Sequence, residues 1–191
     1  DRAKKAQWNY DPSREHLNFE IGKGWVVMKV NKMKSIPQRI AENLEARGIK
    51  DPNLSLINQG KRPYFKTVAN FILGGNREVM RNLAFGNQNV NWEQGADNTQ
   101  LKRMPEIENW AKDAYRFMCK KYGEKNIAAF VVHLDEANPH IHCTVLPITP
   151  KEKFSFLGAF LDGHDDKEAL SRHMTNLHTE FANEVGITYG L

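Results

Sequence analysis

The stretch from Ile127 to Ile148 limits the fold more than any other part of this chain. Ile127 to Val132 is an unbroken apolar run of strand length, and residues 140–148 form a second run rich in apolar and β-branched side chains. Only six residues separate His133 from His140, enough to reverse the chain. The first run therefore predicts a central strand buried on both faces, and the second its antiparallel partner.

The remaining pattern supplies the surroundings of that hairpin. Leu17, Phe19 and Ile21 alternate with Asn18 and Glu20, which predicts a half-buried strand ended by Gly22 and Gly24, with Trp25 to Val30 as a second strand. Ser35 precedes Gln38 by three residues, a capping-box spacing that starts a helix running to about Gly48. Residues 48–64 are turn-rich. Phe65 to Leu73 reads as a strand closed by Gly74 and Gly75, Glu78 to Phe85 as a helix, and Asn87 to Thr99 as a loop. Pro105 opens a helix with Ile107, Trp110, Ala114, Phe117 and Met118 on one face, and Gly123 follows its end. A last helix carries Leu170, Met174, Leu177, Phe181 and Val185 and is expected to stop at Gly186. Strands and helices in this order predict an α+β domain with an antiparallel central sheet flanked by helices.

With 191 residues and 40% hydrophobic content, the chain fits one domain, residues 1–191, able to bury its own core. No stretch approaches the ~18–20 apolar residues of a membrane span, and the start Asp-Arg-Ala-Lys-Lys lacks a signal-peptide core. Two cysteines, Cys119 and Cys143, cannot supply a disulfide framework, so a cytoplasmic setting is expected. The balance of 27 Lys and Arg against 23 Asp and Glu, a net +4, is compatible with a nucleic-acid partner without requiring one. The chain begins at Asp1 without an initiator Met and is read as lacking its extreme N-terminal segment and any C-terminal domains.

Three of the seven histidines lie within ten residues: His133, His140 and His142. On a strand, residues i and i+2 leave the same face, so His140 and His142 point together while Ile141 turns into the core. The chain reversal then brings His133 beside them. Three imidazoles with open positions are the ligand set of a catalytic metal rather than a structural one. Imidazole suits manganese, iron, copper, nickel and zinc alike. Asp135 and Glu136, in the connecting turn, can orient a ligand, accept a proton or join the coordination shell. His164, His173 and His178 are expected in solvated or capping roles, and Cys143 in the core. Residues 1–15 read as an irregular arm in which Arg2, Lys4, Lys5 and Arg14, interleaved with Trp8 and Tyr10, can meet phosphates and stack on unpaired bases. Lys61-Arg62 and Lys102-Arg103 are basic pairs in loops, read as plain surface that the same DNA can reach.

The run His133-x-Asp-Glu-x-x-Pro-His-x-His142 resembles the metal motif of the MobV (Mob/Pre) plasmid mobilisation relaxases of the HUH endonuclease group. Asp11-Pro-Ser-Arg-Glu-His-Leu-Asn-Phe-Glu20 is similar to a second segment of that family, and Lys121 to Ile127 resembles its approach to the metal strand. Residues 49–63 and 87–99 look like family-variable insertions. The resemblance implies an HUH relaxase fold and a strand-specific DNA endonuclease. Such an enzyme nicks one strand at an origin of transfer, stays linked to the 5′ phosphate, and rejoins the ends.

It implies that His133, His140 and His142 hold Mn²⁺ or Mg²⁺, with Zn²⁺ also compatible, and that Glu136 supports the site. It further implies single-stranded or hairpin origin DNA as partner, relaxosome and coupling proteins as further partners, and a bacterial cytoplasmic location. The family's nucleophile can be a histidine upstream of the Pro-Ser-Arg segment, which here falls before Asp1. Of two tyrosine positions proposed to contact or attack DNA, one is Phe19, without a hydroxyl, and the other is Tyr122, read as packing or stacking on DNA. Tyr10 and His16 are outside candidates. Three rival readings stay open: a metal phosphodiesterase acting through metal-bound water, an HUH replication initiator or transposase, and a DNA-binding module with a structural metal.

Overall fold

A computed structural model describes residues 10–161, 163, 164 and 166–191. The expected hairpin is its centre: β4 (Ile127–His133) and β5 (His140–Val145) pair antiparallel, with His133 directly opposite His140 on the last rung. β1 (Phe19–Gly22) adds to β4, β2 (Val26–Lys29) to β1, and β3 (Ala69–Leu73) to β5, giving an antiparallel sheet ordered β2-β1-β4-β5-β3.

Register assigns the two faces. Phe130, Cys143 and Phe71 lie opposite one another across β4, β5 and β3, and share a face with Val132, Ile141 and Phe19. That face meets α4 (Pro105–Tyr122), whose Ile107, Trp110, Ala114 and Met118 are completely buried against it. Glu20, Val131, His142 and Ile72 form the matching row on the other face. Above its β1 end lies α1 (Ile36–Ala46), started by the predicted Ser35–Gln38 capping box. Its Arg39 grips buried Glu20 through two bonds of 2.9 and 2.8 Å, so this strand is polar inward as well as apolar inward.

The turn-rich segment contains a short helix, α2 (Leu54–Asn58), and α3 (Arg77–Phe85) follows Gly74 and Gly75. After α5 (Phe156–Phe160) and α6 (Lys167–Phe181) the last helix departs from expectation. It does not stop at Gly186. It passes through a π turn (Ala182–Gly186) into α7 (Ile187–Tyr189) and ends at Gly190, whose φ of 72° is the left-handed conformation that glycine accepts. The Leu191 amide then bonds back to the Gly186 carbonyl at 3.0 Å. Nor is the apolar stripe of α6 wholly covered: Leu177 is buried, whereas Leu170 and Met174 line an open groove beside β3.

Candidate metal centre

The pleat does what the spacing requires. His133, His140 and His142 all leave the face opposite α4, with ring centroids 5.5 Å apart for His133–His140, 5.0 Å for His133–His142 and 4.8 Å for His140–His142. Nε2 of His140 and Nε2 of His142 approach to 2.8 Å. On its other side, His140 Nδ1 lies 2.8 Å from the Asn138 carbonyl. A carbonyl can only accept, so Nδ1 is the donor of that bond and the ring is oriented with Nε2 toward His142. The cleft is lined by Ile72, Gly74, Gly75, Glu136, Asn138, His140 and His142.

The turn between the strands contributes oxygen donors. One ligand atom each from His133, Asp135 and Glu136 lies within 4.8 Å of the others. Asp135 is buried; its Oδ2 accepts a 2.6 Å bond from Asn18 Nδ2, and its Oδ1, without a hydrogen bond, lies 3.6 Å from His133 Nδ1. A buried carboxylate oxygen beside an imidazole, next to two imidazole nitrogens that converge, is the donor set of a divalent cation with a supporting carboxylate. The residues present fit such an ion. His133, His140 and His142 can take it with Glu136 at the rim, while Asp135 can fix the His133 ring.

A second shell of contacts holds this turn, and it explains the first sequence motif. The Asp11 amide donates to the Asp135 carbonyl at 2.7 Å, and Asn18 Oδ1 accepts the Leu134 and Asp135 amides at 2.7 and 3.3 Å. Arg14 corrects the expectation of a DNA-binding arm. Residues 12–17 form a 3-10 helix, and Arg14 is 3% exposed, its guanidinium bonded to Asp11 and to the carbonyls of Leu134, Asp135 and Glu136. Nε, Nη1 and Nη2 each donate within the protein and the side chain is buried, so the guanidinium does not reach out to a phosphate. The Asp11 carboxyl answers it: burial alone would raise its pKa, but bonds from Ser13, Asn98 and Arg14 together hold it below the ordinary value.

Tyr122 takes the packing half of its expected role and not the DNA-stacking half. It lies on the α4 side of the sheet, stacked on Phe71 with centroids 5.3 Å apart and edge-on to Phe160 at 5.1 Å, with its hydroxyl 3.1 Å from His173 Nε2. The histidine cluster is on the other face, so Tyr122 reaches neither a strand bound there nor its phosphate. Burial, with Cys143 beside it, pushes the phenol well above its usual range. His173 is therefore Tyr122's partner rather than a solvated group, whereas His164 and His178 are exposed. Lys4 and Lys5, like Arg2 and Trp8, lie outside the described residues.

Of the outside candidates, Tyr10 is near: its backbone bridges that of Glu136. Burial first, then Glu15 and Asp135, raise its phenol pKa. His16 is turned away, each ring nitrogen taken by a carbonyl, Ser13 at 2.9 Å and Leu101 at 3.2 Å. Phe19 is buried beneath the Arg103 guanidinium.

Four supporting residues had no assigned role: Asn18, Arg81, Trp92 and Asn98. Asn98, fully buried, bonds to Asp11 and to both backbone groups of Asn91, tying loop 87–99 to the Pro-Ser-Arg segment. Trp92 lies against both Arg14 and Arg81, and Arg81 donates to the Ala137 carbonyl. Asn18 was visible inside the motif. Loop 87–99 has no period that could reveal Trp92 and Asn98, and Arg81, on α3, looks in sequence like any exposed helix cation.

An antiparallel sheet flanked by helices, with three histidines on one face of its central hairpin, defines an α+β class, and comparison with known proteins places it more closely. Residues 27–186 match the family described as plasmid recombination enzyme, so the chain belongs to the plasmid recombination enzyme (Mob/Pre) family. A plasmid recombination enzyme of Lactiplantibacillus plantarum is 27% identical over 130 residues, 66% of this chain and 34% of that protein. Plasmid recombination enzyme type 1 of Staphylococcus aureus is 40% identical over 50 residues, 26% of this chain and 12% of that protein. The chain thus spans about a third or less of these relatives. The Mn-bound crystal structure of the MobM relaxase domain with plasmid pMV158 oriT DNA superposes with a TM-score of 0.57 at 21% identity, covering 92% of this chain and 72% of that one. That likeness shows the α+β relaxase fold. Among the described residues, no helix is long and apolar enough to cross a membrane.

Proposed function

We propose that this domain is a metal-dependent DNA relaxase. It nicks one strand at an origin of transfer by transesterification, retains the 5′ phosphate as a covalent protein–DNA adduct, and reseals it during mobilisation of a plasmid or other mobile element. The observation that carries this reading is the convergence of His140 and His142 Nε2 at 2.8 Å beside His133 on an open cleft. Membership of a plasmid recombination family supports the substrate class, and the Mn-bound state of the MobM relaxase structures supports Mn²⁺, with Mg²⁺ as the alternative.

His133, His140 and His142 would hold the cation, in a cleft open to a scissile phosphate. The ion, when bound, supplies a positive charge that polarises that phosphate and stabilises the charge developing on it. Asn138 fixes the His140 ring, Asp135 supports His133, and Glu136 at the rim is within reach of a phosphate's surroundings to accept or relay a proton. The attacking side chain belongs to polypeptide upstream of Asp1, as the family resemblance implies. Since the phosphodiester bond energy is kept in the covalent link, the same site can run the step backwards. Relaxosome and coupling proteins are the further partners of such an enzyme, and the cytoplasm of a bacterium its setting.

The experiment is a nicking assay on labelled single-stranded origin DNA with the full-length protein. Metal-dependent adduct formation supports the relaxase. Cleavage without an adduct supports a hydrolase acting through metal-bound water, and binding without cleavage a DNA-binding module. Cleavage only at a replication origin or transposon end supports the replication or transposition reading.

A further inference from the structure

We infer that Tyr64 and Phe65, flanked by Lys61, Arg62 and Lys66, form a stacking platform for unpaired bases of the DNA strand that leaves the metal cleft along β3. This rests on the DNA-processing reading above and extends it to a surface outside the cleft.

Four observations meet at this segment. Tyr64 is 83% exposed and Phe65 50%, a large aromatic area for a chain to leave in water at adjacent positions. The two rings stand nearly perpendicular, 84° between planes with centroids 5.5 Å apart, so they present different faces outward. Their backbone is held rather than loose. Asn53, only 5% exposed, accepts the amides of Tyr64 and Phe65 on Oδ1 at 3.0 and 2.9 Å and donates Nδ2 to the Phe65 carbonyl at 2.9 Å. A buried side chain making three bonds to one dipeptide fixes the direction in which both rings point.

Charge is the third observation. Lys61, Arg62 and Lys66 lie within six residues, and among the described residues none of them forms an ion pair with a carboxylate. Aromatic faces interleaved with unneutralised cations are what single-strand binding requires, since every base offers a π face and every nucleotide a phosphate. A protein partner would be expected to bury apolar groups without needing three cations that no carboxylate neutralises.

The path is the fourth. Gly74, Gly75 and Ile72 line the cleft, and Ile72 sits opposite His142. Running back along β3, Ile72 and Asn70 are both exposed on the histidine face, and Phe65 and Tyr64 lie further back in the chain, before the strand begins. Phe65 lies seven chain steps from Ile72, at most about 24 Å of extended chain, the rise of roughly seven stacked nucleotides.

The test compares the wild-type protein with Y64A/F65A on oligodeoxythymidine of about 16 nucleotides and on a duplex of the same length, by fluorescence anisotropy. The expected result is a loss of roughly 5- to 100-fold in single-strand affinity per lost stack, with duplex binding little changed, because paired bases offer no free faces. Tyr64→Trp keeps a stacking ring and should restore single-strand binding. Lys61→Gln with Arg62→Gln should weaken both substrates and flatten the salt dependence. Mn²⁺ affinity and melting temperature report that the cleft and fold are intact. Equal single-strand affinity of Y64A/F65A and wild type overturns the platform. Wild type that nicks origin DNA while Y64A/F65A binds as well as wild type removes the platform and leaves the relaxase standing. Wild type that neither binds nor nicks removes the relaxase reading itself.

Discussion

The guanidinium carbon of Arg81 lies 3.5 Å from the centroid of the Trp92 ring, and its Nε and Nη2 donate to the Ala137 carbonyl at 3.0 and 2.7 Å. Arg14 lies 4.6 Å from the same ring and bonds to the three carbonyls just before Ala137. The turn between β4 and β5 is thus gripped by two arginines that share one indole, whose face offsets part of the cost of bringing like charges together. Burial, then Arg77 and Arg14, lower the pKa of Arg81. Removing the indole should let the arginines separate and the turn relax.

Trp92→Ala is therefore expected to weaken Mn²⁺ binding about 10- to 100-fold, the usual effect of losing outer-shell support, although Trp92 touches no histidine. Arg81→Gln should act in the same direction, and Arg81→Lys should recover part of the loss. Counting free Mn²⁺ by electron paramagnetic resonance during a titration reads this directly. Unchanged affinity in Trp92→Ala would show that the turn holds its shape without the stack.

Arg14→Ala should cost about 1–3 kcal/mol of stability, because it removes the ion pair of the half-buried Asp11 carboxylate and the 2.8 Å donor of the Leu134 carbonyl. A denaturant titration measures it. Were Arg14 a phosphate contact, the variant would instead fold normally and show a shallower dependence of DNA affinity on salt.

Asp11 gives a pH dependence with a definite sign. Its folded pKa lies below the ordinary 3.8, so its contribution is complete above about pH 5 and is lost as pH falls through the folded value. Unfolding midpoints between about pH 5 and 2 should fall less steeply in Asp11→Asn than in wild type. Parallel curves would mean that the hydrogen bonds from Ser13, Asn98 and Arg14 do not discriminate between the two protonation states.

Tyr10→Phe should leave adduct formation intact. Tyr10 bridges Glu136, but burial and the carboxylates of Glu15 and Asp135 disfavour its phenolate, the form an attacking tyrosine needs. Loss of the adduct in Tyr10→Phe, with DNA and Mn²⁺ binding preserved, would identify Tyr10 as the nucleophile instead of a residue upstream.

What could be read beforehand follows from the range of the forces involved. His140 and His142 share a face because a strand alternates, and His133 joins them because six residues only turn the chain. These are local rules. The fate of Arg14 depended on carbonyls at 134–136, and a basic residue near a terminus looks the same in sequence whether it is bound for solvent or for a buried network. Packing and DNA stacking stay open for Tyr122 in the sequence for a similar reason: a helix terminus does not reveal which side of a sheet it closes on. Loop 87–99 has no period, and its order comes from one buried asparagine, Asn98, whose partners include Asp11 far back in the chain. Gly186 looked like a helix stop, yet the chain spends its flexibility four residues later, at Gly190.

The most direct test of the central claim uses the full-length protein, labelled single-stranded origin DNA and Mn²⁺, read on a denaturing gel beside His140→Ala and His142→Ala. The account predicts a band of protein joined to DNA that needs Mn²⁺ and disappears in both variants. An adduct of equal yield without metal, or in the histidine variants, would contradict a three-histidine metal centre as the source of the chemistry.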